Sequence, residues 1–304
     1  MISETWALTV RELRKWVRTP ALVLVALVQP ILWLALFGSA FNPTNLIPRS
    51  VAGLQIPDQV YDQISNSILS QTFGGAPNYI TYLASGILCM ILLFNSAFSG
   101  GSIVWDRRFG FLNKLLAAPI PRTSIFLSKV LSTIFKGMFQ AFVIFFFALV
   151  IPGGLILSTS FNALDFVGLF VGLFLLALGL SSAFTAIAVR IAKWETLIAI
   201  VNFINLPMLF VSSALFPISS MPSWLQAVAN VNPMTKAIEI SRFFVIQGSL
   251  TAAQYGSLFY DFAYLAIFCS VIYDSRSIRI ENRLEERLMP ERTSTKNSKG
   301  FNLL

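Results

Sequence analysis

Histidine is absent from the 304-residue sequence, and charge is scarce: Asp, Glu, Lys and Arg together make up 12% of it. Without an imidazole, Ser-His-Asp and Cys-His catalysis and most zinc and haem ligation are excluded. Cysteine is nearly absent too. Cys89 and Cys269 both sit in apolar stretches, where a thiol behaves as a small hydrophobe and not as a site. No G-x-x-x-x-G-K-[ST] phosphate loop occurs, so ATP has no binding device of that kind here. The first apolar run is not followed by a small-residue cleavage site, and a cleavable signal peptide is not expected.

What the chain has in abundance is apolar sequence, 56% of its residues. Its uncharged runs are too long for the single apolar stripe of a globular helix, and match segments of roughly 20 residues that cross a hydrocarbon layer of roughly 30 Å. The fold class expected is an all-α integral membrane protein with six transmembrane helices, at about 21–41, 79–104, 132–151, 166–189, 197–216 and 256–273. The second of these is uncharged as far as Trp105, long enough to tilt or to break near Gly100-Gly101. Gln29-Pro30 marks a kink in the first, and Pro152-Gly153-Gly154 ends the third. Before the spans, residues 1–20 place Trp6, Val10, Leu13 and Val17 on one helical face and Arg11, Arg14, Lys15 and Arg18 on the remainder. This is the pattern of a basic amphipathic helix lying in the membrane interface. After them, 274–304 is a basic cytoplasmic tail.

Charge placement orients the map. Of the 22 Lys and Arg residues, 19 fall in the pieces assigned to the inside, and only Arg49, Lys236 and Arg242 fall elsewhere. Such a bias places both ends in the cytoplasm. The net charge of +8 is therefore assigned to lipid headgroups; no nucleic-acid partner is expected. Between the fifth and sixth spans, Pro217, Pro222 and Asn232-Pro233 break a still apolar region into short re-entrant helices. Glu239 and Arg242 lie three residues apart there and can pair with each other. Asp261 is the one acid inside a span, either a pathway residue or a hydrated group near the outer end.

The inner loop from Trp105 to Arg122 is a stiff, charged knob. Asp106, Arg107, Arg108 and Gly110 precede a helical patch with Leu112, Leu115 and Leu116, and Pro119 and Pro121 end it before Lys129. On charge alone it could be ordinary positive-inside sequence. This order of residues resembles the loop between the second and third spans of ATP-binding-cassette (ABC) transporter permeases of the type-2 exporter class, which includes daunorubicin-resistance and polysaccharide-export permeases. A second resemblance lies in Pro207, Phe216, Pro217, Pro222, Asn232, Pro233, Glu239 and Arg242, similar to the late signature of that class. The chain departs from the class in having Asp106-Arg107-Arg108 where acids often flank the arginine on both sides, and Ser213 where many members have a glycine nearby.

The resemblance implies a permease subunit of an ATP-driven exporter that is not itself an enzyme. It pairs with a second permease chain, identical or a sister, and with separate ABC ATPase subunits that carry ATP and Mg. These dock on the loop 105–122 through Asp106, Arg107, Arg108, Gly110, Leu115, Leu116 and Pro119. The membrane would be a bacterial inner membrane or a plastid membrane. An ion-driven secondary transporter and a haem-exporter permease are the alternatives; the first lacks clear midplane acids or repeats, and the second is weakened by the missing histidine.

Overall fold

The computed structural model describes residues 2–40, 50–51, 54–55, 57–151, 153–246 and 255–272. The tail 274–304, Arg49, Pro152 and the Leu116 side chain lie outside the described residues. The regular structure of the described chain is helical apart from one two-residue antiparallel pairing, β1 (Ser50–Val51) with β2 (Leu54–Gln55).

α1 (Ile2–Val17) leads into α2 (Pro20–Ala40), whose first residue is a proline, the residue that best tolerates that position. α3 (Asp58–Thr72) lies in the long segment before the second apolar run. α4 (Tyr79–Ala97) is capped by Asn78, whose side chain accepts from the Thr81 N–H at 2.7 Å. The chain then breaks at 98–100 and resumes as α5 (Gly101–Arg108). α6 (Phe111–Ala117) follows a turn at Gly110, where φ is +70°, a conformation that favours glycine.

α7 (Arg122–Val150) begins at the end of a proline-bounded stretch, well before the charges at Lys129 and Lys136 give way to the apolar run. α8 (Ala163–Ala188) opens with a capping box in which Asn162 and Asp165 satisfy each other's backbone donors. α9 (Trp194–Phe210) carries Pro207 in its last turn and ends there, Val211–Phe216 being turns rather than helix. The prolines then divide the chain into a 3₁₀ turn (Ile218–Ser220), α10 (Ser223–Val231) and α11 (Pro233–Ile246). α12 (Tyr255–Ile272) closes the described chain.

Four helical stretches are long and apolar enough to cross a membrane, namely Tyr79–Arg108, Arg122–Val150, Ala163–Ala188 and Tyr255–Ile272, and Val23–Gly38 and Trp194–Phe210 are shorter apolar helices. α4 is the centre of the bundle. It packs against α2, α7, α8 and α11, and nearly every one of its side chains is buried. α7 and α8 instead keep an apolar outer face, with Phe135, Phe139, Phe142, Phe146, Val167 and Val171 exposed, as a bundle bathed in lipid requires. The break after α4 is the tightest approach to α8. A Cβ on Gly100 would lie 2.0 Å from that of Ala188, and Ser99 both donates to the Ser181 carbonyl and accepts from the Thr185 hydroxyl. Small residues with interhelical hydrogen bonds are what holds helices together where lipid removes the hydrophobic driving force.

Candidate functional site

The charged knob folds as the α5–α6 hairpin, and the most buried charge beside it is Lys129 at the foot of α7, 2% exposed. Its ammonium donates to Glu12 Oε1 on α1 at 2.9 Å and to Asp106 Oδ2 on α5 at 2.6 Å. Three helices distant in sequence thus meet on one ammonium. Arg11 and Lys15 stand 3.6–3.9 Å from the same two carboxylates. The Arg11 guanidinium also lies 3.8 Å from the centroid of the Phe111 ring, which ties α1 to α6. Nearby, Leu112, Leu115 and Ile125 form a small apolar cluster against Leu8 and Phe111.

α1 therefore packs on the bundle. Thr9 and Glu12 face the bundle, Trp6 and Trp16 pack edge-on against Phe135 and Phe139 of α7, and Val17 stays exposed. Burial disfavours the charged form of Glu12, but Lys129, Lys15 and Arg11 outweigh it and hold the carboxyl below its ordinary value of 4.5. A carboxyl depressed on folding stabilises the fold above its unfolded value, and that contribution is lost as pH falls through the folded one. The melting temperature of the purified chain is expected to hold from about pH 7 to about pH 5 and to fall below that. Glu12→Gln should flatten the acid limb; an unchanged acid limb in the variant would show that another group controls it.

Arg107 donates to the Ile191 and Val189 carbonyls, both at 2.9 Å, and so joins α5 to the turn that follows α8. Arg108 points outward, 5.6 Å from the Trp105 ring centroid. Trp105 stacks on Phe109, and Phe109 is 73% exposed. The expected coupling residues thus divide. Asp106, Arg107 and Leu115 hold the hairpin to the bundle, whereas Arg108, Gly110 and Pro119 lie at its surface with Phe109.

The late signature builds a second cluster at the other end of α4. Asn232 donates to the Met208 carbonyl and caps α11 by accepting from the Met234 N–H, which fixes the α9–α10–α11 corner where Pro207 and Pro233 sit. Pro217 and Pro222 start the 3₁₀ turn and α10, and Phe216 is exposed. Glu239 does not pair with Arg242. It accepts from Lys236 at 2.7 Å, an equally spaced partner on the same helix, and Lys236 is also 3.2 Å from Asp261 on α12. Arg242 instead donates to the Ser213 carbonyl and lies 3.5 Å from the Tyr82 ring centroid, and Tyr82 donates to that same carbonyl. Asp261 is buried and ion-paired. These groups border a cavity of about 580 Å³. Asp261→Asn keeps the shape and leaves Lys236 to Glu239, so a fall in melting temperature of a few degrees at most is expected; a large loss of folded protein would make this pair the main tie of α12.

No group of three or more potential metal-binding side chains occurs among the described residues. Residues 3–246 match the family described as ABC-2 type transporter. The chain belongs to that family. The relatives agree with it. The transport permease ycf38 of Cyanophora paradoxa is 32% identical over 80% of this chain and 74% of its own length. The doxorubicin resistance ABC transporter permease protein DrrC of Mycobacterium tuberculosis is 22% identical over 89% of this chain and 86% of its own, and the daunorubicin resistance permease DrrB1 of Streptomyces coeruleorubidus 23% over 66% and 72%. The protein is thus a multi-pass membrane permease of an ABC transporter, a transmembrane component and not the ATPase, from a family that normally works with ABC ATPase subunits.

Glu12 escaped the sequence reading. The signal for it was an acid set between Arg11 and Arg14, and a lysine, Lys129, beside the start of a span and in need of counter-ions.

Proposed function

We propose that the chain is the membrane half of an ATP-driven exporter. Two permease chains, identical or sisters, form the substrate pathway through six spans each, with both chain ends on the inner side of a bacterial or plastid membrane. Separate ATPase subunits, which carry ATP and Mg, dock on the α5–α6 hairpin through Arg108, Phe109 and Pro119. One observation carries this reading: the hairpin is fastened to α1 and α7 by the Glu12–Asp106–Lys129 cluster and to the α8–α9 turn by Arg107. A push on its tip would therefore move α1, α7 and α8 together, a rigid-body step and not a local bending. The test is to co-express the chain with its ATPase subunit and measure ATP hydrolysis of the purified assembly against either component alone. Hydrolysis that requires the partner and is altered by the permease supports the reading; a permease that neither binds the partner nor changes its turnover ends it.

Topology has its own test. In a chain with Cys89→Ala and Cys269→Ala, cysteine introduced at Ser65 is expected to react with an impermeant thiol reagent added outside, and cysteine at Ser294 is not. Equal labelling at both would remove the six-span arrangement.

A further inference from the structure

We infer that the cavity between α2, α4 and α7 is a binding site for an uncharged amphiphile bearing hydroxyl or amide groups. The cavity holds about 190 Å³ and is lined by Ala26, Gln29 and Pro30 of α2, by Met90, Phe94 and Asn95 of α4, and by Gln140 of α7. That volume equals roughly six waters, enough for a small polar head with the first carbons of a chain.

Its polar groups are left wholly or partly without partners among the described residues. Gln140 is 4% exposed and makes no hydrogen bond among the described residues, yet its carboxamide is not sealed in and opens on the cavity. Asn95 gives its amide to the Thr133 carbonyl at 2.9 Å, and its side-chain oxygen has no donor among the described residues. Gln29 has no partner there either. The fourth group is backbone: Pro30 has no N–H to give to the carbonyl of Ala26, one turn earlier, and both residues line the cavity. In a helix that crosses lipid, a carbonyl freed by proline is satisfied by neighbouring groups or by something bound. The Gln140 amide, which opens on the cavity without a protein partner, calls for the same explanation.

The set also limits what fits. Two carbonyl acceptors and two complete carboxamides suit hydroxyls and amides, which both donate and accept. No lining residue is ionisable, so a charged head would be desolvated without a counter-ion. Met90 and Phe94, with the isoleucines of the same helix, supply the apolar wall for a chain.

The full chain in phosphatidylcholine liposomes would be irradiated with a diazirine-bearing monoacylglycerol, with the fatty acid and the fatty amine of the same chain length as charged counterparts. Cross-links would then be mapped by mass spectrometry. Labelling is expected on peptides of α2, α4 and α7 with the monoacylglycerol and at background with either charged probe. Gln140→Leu, which keeps the volume and removes the hydrogen bonds, should lower labelling about tenfold. Gln29→Leu, at an exposed position that leaves packing intact, gives the same direction if the first variant folds poorly. Excess unlabelled monoacylglycerol should compete, and free glycerol should not. Equal labelling by charged probes, labelling unaffected by both variants, competition by glycerol alone, or no labelling of these helices would each overturn the assignment, the last marking a site for water alone. The measurement uses no nucleotide and no ATPase subunit, so its outcome is independent of the coupling proposed above.

Discussion

Replacing Lys129 with methionine is expected to cost about 3–5 kcal/mol of stability and to remove most folded protein from the membrane extract. The reason is what it leaves behind. Glu12 Oε1 and Asp106 Oδ2 both take their hydrogen bonds from this one ammonium, and both residues are less than a tenth exposed. Without it two carboxylates face each other in a poorly solvated site, with only Arg11 and Lys15 at the rim to answer them. The contrast that isolates the effect is the combined Glu12→Gln, Asp106→Asn, Lys129→Met variant. Replacing every member of a buried ion cluster with neutral groups of similar shape is often nearly neutral, so the triple variant should recover much of the lost stability. If Lys129→Met alone melts like the parent, the cluster holds nothing.

The second large effect is expected at the tip of the hairpin. Arg108→Glu with Phe109→Ala removes a cation and an exposed aromatic from the surface proposed to meet the ATPase subunit, and buried arginine and aromatic anchors commonly contribute about 2 kcal/mol or more each to an interface. Affinity for the ATPase subunit should fall at least about thirtyfold, while the melting temperature of the isolated permease stays near that of the parent. Arg107→Glu should do the opposite. It breaks the bonds to Ile191 and Val189 and places an acid against two carbonyls, so the loss appears in permease stability before any partner is added. Charge reversal at Arg292 and Lys296, outside the proposed docking surface, should change neither reading much.

The helical, lipid-facing character of the chain was legible because uncharged runs are a one-dimensional signal. So were the weak points: Gly100-Gly101 coincides with the break between α4 and α5, and Pro217, Pro222 and Pro233 with the starts of short pieces. The family was legible in the ordered residues from Asp106 to Lys129. Charges misled where burial reversed their meaning. Lys129 read as inner-loop sequence ahead of the third span, yet it lies within α7, which begins at Arg122, and is buried there. Glu239 and Arg242 read as a pair by spacing, but Lys236 offers the same spacing, and the Tyr82 ring with the Ser213 carbonyl comes from parts of the chain that spacing cannot reach. Glu12 was passed over for the same reason: its role depends on Lys129 and Asp106, far away in sequence.

The central claim is that the α5–α6 hairpin passes the work of a separate ATPase into the spans, and co-reconstitution of the permease with that ATPase tests it most directly. Transport and ATP hydrolysis would be followed in the same liposomes for the parent chain and for Arg108→Glu with Phe109→Ala. The account predicts that the parent couples the two and that the variant, folded and inserted, loses transport and its influence on hydrolysis together. Full coupled transport by the variant would contradict it.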